Sequence, residues 1–453
     1  MSLWLRGATV VRSLEPPRVE RADLLVADGR IAAVGRADAG EGAATLDCSG
    51  CLAIPGSVCA HTHAYSALAR GMPYHLPAPT SFLEILQRIW WRLDRAIDPT
   101  AIRASALVAA REALLAGTTT LVDHHASPNA TDGSLDVIAE AFEEVGIRSV
   151  LCYEMTDRDG RARAGEGLDE NRRFLRRVAS GRWPLARGMV GAHASFTLSA
   201  DSLAACAELA RQEGVGVHVH AAEDAVDQAD ALARFGQRVV ERLELGGALT
   251  DASLLAHAIH LDPAEAERVV RTRALVAHNP RSNLNNGVGR TPLSWLGERV
   301  ALGTDGMGAD LFEESHVAYL RRREEDLASS PRGSLAMLAQ GAAFAGRVFG
   351  EPQLGSLDVG APADLVVLDY QAPTPVADDA LAGHWVFGLS AASVRDVLVG
   401  GEVVVRDRRI TRLDGADIAL EARSAAGALW QRLEGIGPHP FTPTRLLASA
   451  GVS

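Results

Sequence analysis

The 453-residue chain holds 47% hydrophobic and 23% charged residues, ordinary for a globular enzyme. That length suits one large domain plus a smaller one, or an elaborated barrel. A net charge of −12 without a basic stretch argues against nucleic acid as a partner, no apolar run approaches a membrane span, and the absence of any Lys excludes chemistry that needs a lysine amine.

The N-terminal stretch MSLWLRGATVV is too short and too soon charged for a secretory signal, so a cytoplasmic protein is expected. Through residue 55 the texture is short and β-branched. LWLRGATVV, ADLLVADGRIAAVG and ATLDCSGCLAIPG read as strands, with Asp28-Gly29 as a hairpin turn. Cys48 and Cys51 make a formal C-x-x-C, but one such pair cannot complete a structural zinc site, and both read as buried thiols. With Cys59, Cys152 and Cys206 they are too few and too scattered for a disulfide framework.

From residue 56 strand-like runs alternate with longer helical stretches. The strands are VCAHTH, TTTLVDHH, IRSVLCYEM, RGMVGAHAS, GVGVHVHAAE, ASLLAHAIH, RALVAHNP and RVALGTDG. Between them lie amphipathic helices such as PTAIRASALVAAREALLAG and SADSLAACAELARQEG. Eight strand–helix units over roughly 270 residues are the count of a (β/α)₈ TIM barrel. Strands return near the end as ADLVVLDY and VRDVLVGGEVVVRDRRIT, turning at Gly400-Gly401. We therefore expect an α/β protein: a small composite β-sandwich domain from 1–55 and 355–415, a barrel over 56–354, and a C-terminal helix and tail over 416–453. Residues beyond about Pro440 are expected to be mobile.

Of fourteen histidines, ten fall in the eight predicted strands, mostly at their C-terminal ends: His61, His63, His124, His125, His193, His218, His220, His257, His260 and His278. Asp305 closes the eighth strand. Barrels of this kind build their active sites at that face, and a scatter of core histidines would not favour one end of each strand. His61-Thr62-His63 has the i, i+2 spacing that puts both rings on one face of a strand, where they can share a Zn or Fe(II) ion. In the fifth strand His218 and His220 also share a face. His220, nearer the end, is taken as the third imidazole and His218 as a packed core residue, with the reverse as the alternative. Glu223, three residues on, is placed to take a proton from water and pass it to a leaving amine; the bland alternative is a carboxylate at a helix N-terminus. His257 is read as pointing inward, to polarise an oxyanion or steady the nucleophile, and the glycines beside Asp305 as freeing its backbone.

These residues resemble the amidohydrolase superfamily over nearly the whole chain, through AHTH, HVHAAE, LAHAIHL, AHNPRSN, LGTDG and GSLDVGAPADLVVLD. Within it they are most similar to the cytosine deaminase and chlorohydrolase (ATZ/TRZ) branch. IWWRLDRAID, LVDHHASP, GAHASFTL, NPRSNLNNGVG and TDGMGADLFEE resemble the SsnA-type aminohydrolases. The resemblance implies metal ligands at His61, His63, His220 and Asp305, and catalytic roles for Glu223, His257 and Asp305. It implies substrate contact at His193, while His278 is read as structural. Binuclear members bridge two metals through a carbamylated lysine on strand four; here that strand ends in His193 and no lysine exists, so one divalent metal per chain, zinc before Fe(II), is expected. Further candidates for the substrate wall are His125, Trp90, Trp91, Arg281 and Asn283, although either tryptophan could simply pack a helix.

The expected activity is hydrolytic deamination of a small purine-, pterin-, pyrimidine- or triazine-like ring, with metal-activated water attacking an amidine carbon. The alternatives are dechlorination or dealkylamination of an s-triazine-like ring and, remotely, an inactive barrel scaffold. The expected partners are the heterocycle, water and further copies of the chain, with no membrane.

Overall fold

The computed structural model describes residues 2–35 and 44–444. Each of the eight predicted barrel runs forms a strand: Ser57–Thr62, Thr118–His125, Arg148–Tyr153, Ala186–Gly188 continued by Val190–Ala194, Val217–Ala221, Leu254–His257, Leu275–His278 and Val300–Leu302. Neighbours pair in parallel, as connections through helices require. Hydrogen bonding runs as a ladder of four strands and one of five, joined at the two seams by the bridges Met155↔Ala192 and Thr62↔Asp305.

The intervening helices start where their caps dictate. Asp98 accepts the amide of Ala101 ahead of Pro99–Leu115, and Ser199 accepts that of Ser202 ahead of Ala200–Glu213. Both helices were expected from their apolar periodicity.

The chain ends meet in one nine-stranded sheet beside the barrel. Leu365–Leu368 pairs antiparallel with Leu52–Pro55, zipping the C-terminal strands to the N-terminal ones. Leu5, Val10 and Leu24 from one end share a buried core with Leu365, Val367 and Leu398 from the other. The Asp28-Gly29 and Gly400-Gly401 turns both hold positive φ, and a Cβ on Gly401 would come within 2.8 Å of the Gly29 Cα, so the two hairpin tips touch. Cys48 and Cys51 are buried free thiols beside the Arg395 guanidinium.

Helix Gly415–Glu434 packs on Pro99–Leu115. The expectation of a loose tail after Pro440 is corrected as far as Thr444. Gln87 Nε2 donates to the Phe441 carbonyl at 2.7 Å, and the Thr444 amide donates to Asp230 Oδ1 at 2.9 Å. From residue 445 that expectation falls outside the described residues. Among the described residues no helix is long and apolar enough to cross a membrane.

Candidate metal centre

The ends of the first, fifth and eighth barrel strands converge. One ligand atom each from His61, His63, His220 and Asp305 lies within 4.8 Å of the others. The backbone sets the ring faces. His63 Nδ1–H donates to the His124 carbonyl at 2.6 Å, and His220 Nδ1–H donates to the His193 carbonyl at 2.9 Å. Each ring thus turns its Nε2 inward, and the two Nε2 atoms face each other at 3.2 Å. His61 Nδ1 lies 2.9 Å from His218 Nε2, which leaves its own Nε2 buried without a hydrogen-bond partner. Three inward imidazole nitrogens beside a carboxylate are the donor set of a divalent transition metal, with room for water as a further ligand.

Asp305 Oδ1 sits 3.0 Å from His63 Nε2 and 3.6 Å from His61 Nε2, while Oδ2 accepts the Ser282 hydroxyl. Burial pulls His61 down to about 3. At His63 burial acts the same way but the Asp305 carboxylate outweighs it, raising the ring to about 9, so one proton must leave for its Nε2 to bind a cation. The glycines beside Asp305 play a different part from the one expected. Asp305 itself takes φ 51°, whereas a Cβ on Gly303 would meet Asn279 Oδ1 at 2.4 Å. Gly303 serves close packing, and the left-handed turn belongs to the aspartate.

Beside this group stand Glu223 and His257, Oε2 to Nε2 at 3.6 Å. His257 Nδ1 bonds Asn283 Oδ1 at 2.8 Å, and its Nε2 is buried without a partner. Glu223 precedes helix Ala225–Phe235, whose N-cap is Asp224, so the helix-end role falls to the neighbour. Burial first, and Asp305 second, push the Glu223 carboxyl well above its ordinary range.

A cleft opens from the centre, lined by His63, His220, Glu223 and Asp305 on one side and by aromatic walls on the other. Trp90, Trp91 and His193 line it, as expected. A π turn over Leu86–Trp90, closed by the Trp91 amide on the Leu86 carbonyl, precedes the helix that carries Trp91. His125, Arg281 and Asn283 do not line it, and each has another occupation. His125 Nε2 pairs with Ser127 Oγ at 2.9 Å, and Asn283 holds His257. Arg281 is spent on Glu313, Glu314 and the Gly308 carbonyl. His218, expected as mere packing, instead orients His61. His278 is buried against Thr291, and Cys152 lies beside His218.

Sequence reading overlooked two wall residues, Asp94 and Glu154, which grip the guanidinium of Arg158 at 2.6 and 2.5 Å. Burial opposes charge on both. Glu154, which also faces His193 and His124, is held well below the usual carboxylate range, and Asp94 is pushed up to about 8. Glu154 follows the third strand directly, so the signal that marked His193 and Asp305, a polar residue at a strand end, applied to it as well. Tyr65, Phe196 and Asn286 also line the wall; Phe196 and Asn286 fall within GAHASFTL and NPRSNLNNGVG but were not singled out there.

Residues 52–404 match the Amidohydrolase family. A 5′-deoxyadenosine deaminase of Methanopyrus kandleri is 32% identical over 383 residues, covering 83% of this chain and 86% of that protein. The solved structure of an adenosine deaminase from Xanthomonas campestris with bound zinc aligns with a TM-score of 0.82 at 25% identity, covering 95% of this chain and 98% of that one. A triazine hydrolase from Arthrobacter aurescens aligns with a TM-score of 0.81 at 26% identity, covering 94% and 99%.

Proposed function

The chain belongs to the amidohydrolase family, and we propose that it is an aminohydrolase that releases ammonia from an amidine carbon of a small, flat nitrogen heterocycle. The observation that carries this is the joining of two groups at one point: three inward imidazole nitrogens with Asp305, and the buried Glu223 carboxyl, 3.6 Å from His257, beside them. The relatives named as deaminases support the same chemistry.

His61, His63, His220 and Asp305 would hold one divalent metal, zinc first, which supplies Lewis acidity and brings the pKa of water from 15.7 toward about 7. The remaining work belongs to the side chains. Glu223 enters holding a proton and delivers it to a ring nitrogen, which makes the adjacent carbon electrophilic. His257 is neutral, because burial lowers it; its Nδ1–H is held by Asn283, and its Nε2 lone pair accepts a hydrogen from the attacking water. Of its two expected roles this favours steadying the nucleophile. Asp305, anchored through Oδ2 by Ser282, offers Oδ1 for the second proton. Glu223, emptied by that delivery, takes the first proton of the water and passes it to the leaving amine, and the proton gathered on Asp305 returns to Glu223, so the two water protons account for the ammonia and the ring N–H. Trp90, Trp91, Tyr65 and Phe196 present flat apolar faces suited to stacking a ring and displacing water.

The likeness to a triazine hydrolase keeps halide release as a second reading. An ammonia-release screen over purines, purine nucleosides, pterins, pyrimidines and triazines, run beside chloride detection on metal-loaded enzyme, separates them. Ammonia from an amino-substituted ring is the expected result. Chloride alone would move the protein to the second reading, and neither product from fully metallated enzyme would overturn both.

A further inference from the structure

We propose that residues 436–444 form a strap that positions Trp91 and thereby determines which ring the cleft accepts. This extends the aminohydrolase reading from the metal group to the opposite wall, and it rests on that reading for its activity arm.

The strap is tied at both ends. Arg92 Nε donates to the Ile436 carbonyl at 2.6 Å and its Nη2 to Leu433 at 3.0 Å, while Arg95 Nη2 donates to Gly437 at 2.9 Å. These guanidiniums, on the helix Trp91–Ala96, satisfy carbonyls left open where helix Gly415–Glu434 ends. Gln87 then grips the strap twice: its carbonyl accepts the His439 amide at 2.8 Å, and its Nε2 donates to Phe441. Finally Thr444 is held by Asp230 on helix Ala225–Phe235. The strap thus runs from the segment after the first barrel strand to the helix after the fifth. On the way its side chains meet Asp159, after the third strand, and Phe196, after the fourth, so the strap follows the third to fifth strand ends behind the aromatic wall of the cleft.

Its side chains converge on one residue. The rings of His439 and Phe441 meet Trp91 edge-on, at 5.3 and 5.8 Å between centroids. Phe441 also reaches Phe196 at 6.3 Å, and the Arg158 guanidinium stacks over Trp91 at 5.3 Å. His439 Nε2 lies 3.1 Å from Asp159, next in chain to Arg158. Neither His439 nor Phe441 lines the cleft, whereas Trp91 does. Trp91 is 1% exposed, yet its Nε1–H has no partner among the described residues. A buried donor without an acceptor is costly, and because Trp91 lines the cleft, a substrate that draws the ring toward it would supply the acceptor, a ring nitrogen or exocyclic carbonyl. The strap is therefore a positioning element, and Trp91 is the residue through which it acts.

The test uses full-length Phe441→Ala, with Phe441→Tyr as the conservative variant and Trp91→Phe as the comparison. On the ring identified by the ammonia screen, Phe441→Ala keeps its metal and a kcat within about threefold, while KM rises about tenfold, the worth of one hydrogen bond. Phe441→Tyr restores KM, and combining Phe441→Ala with Trp91→Phe adds little, because both act on one contact. An unchanged KM, or parallel losses of kcat and melting temperature, would overturn the proposal. A second measurement needs no substrate: acrylamide quenching of the Trp91 emission, isolated by subtracting Trp91→Phe, rises in Phe441→Ala and in Gln87→Ala, which removes the side-chain tie to Phe441 without removing a ring. If the screen finds no active ring, the aminohydrolase reading fails while this arm still decides whether the strap holds Trp91. Should Phe441→Ala not fold, Gln87→Ala carries both measurements.

Discussion

Glu223 is nearly buried 3.6 Å from His257, and burial pushes its carboxyl well above the ordinary range. Glu223→Gln keeps the shape and removes the shuttle, so we expect retained metal, an unchanged melting temperature and a kcat lower by about 10²–10⁴-fold. Metal content, melting temperature and kcat on one preparation check this; normal turnover with full metal would remove Glu223 from the mechanism. At the fifth strand we expect His220→Ala to lose metal and activity together. His218→Ala should keep the fold but weaken metal binding about 10–100-fold, because it frees the ring of His61. Metal retained after dialysis distinguishes the two, and equal retention in His218→Ala and wild type would deny the orienting role. Strand parity was enough to put His61, His63 and His220 on one side. It could not show that His218 lies within hydrogen-bond reach of His61, because that depends on the distance between strands and not on spacing within one.

The element scale brings in the segment after the third strand, where Arg158 joins the carboxylates of Asp94 and Glu154 with all three side chains at most 3% exposed. Replacing Arg158 with Met leaves two buried carboxylates facing each other without a cation. We expect a loss of about 3–5 kcal/mol, the usual cost of breaking a buried pair. Denaturant unfolding of metal-loaded protein measures it, and a loss below about 1 kcal/mol would mean that water reaches the site. Strand and helix positions were legible because apolar periodicity and caps are local signals. The π turn before Trp91 was not, since nothing in LQRIWW departs from ordinary helix propensity. Arg281 and Asn283 were named as candidates for the cleft wall and do not line it. What took them elsewhere, Glu313, Glu314 and His257, lies 26 or more residues away in chain and is invisible to local pattern.

For the whole molecule the central quantity is metal stoichiometry. Three other three-residue groups, His63–His124–Glu154, Glu154–His193–His220 and Glu223–His257–Asp305, lie close enough to hold an ion, but each borrows a ligand from the first group, and Glu154 is already committed to Arg158. With no lysine to carbamylate, we expect about one transition metal per chain by elemental analysis. Two per chain, both required for activity, would overturn that. The barrel itself was readable from the strand–helix rhythm and from polar residues gathered at strand ends, a pattern that fixes which face carries chemistry. The joining of the two chain ends was readable only as matching texture; the pairing register depends on contacts between segments hundreds of residues apart.

That pairing has a consequence for how the protein is made. Leu52–Pro55 ends where the barrel begins, yet its antiparallel neighbour Leu365–Leu368 follows only after the whole barrel. At about 5–20 residues per second a ribosome needs roughly 15–60 s to deliver it. Throughout that interval the nascent chain carries an open strand edge, the kind of surface that pairs with strangers. A chain stalled or cut short within the barrel keeps that edge exposed, a lasting mark by which chaperones and proteases can tell it from finished protein.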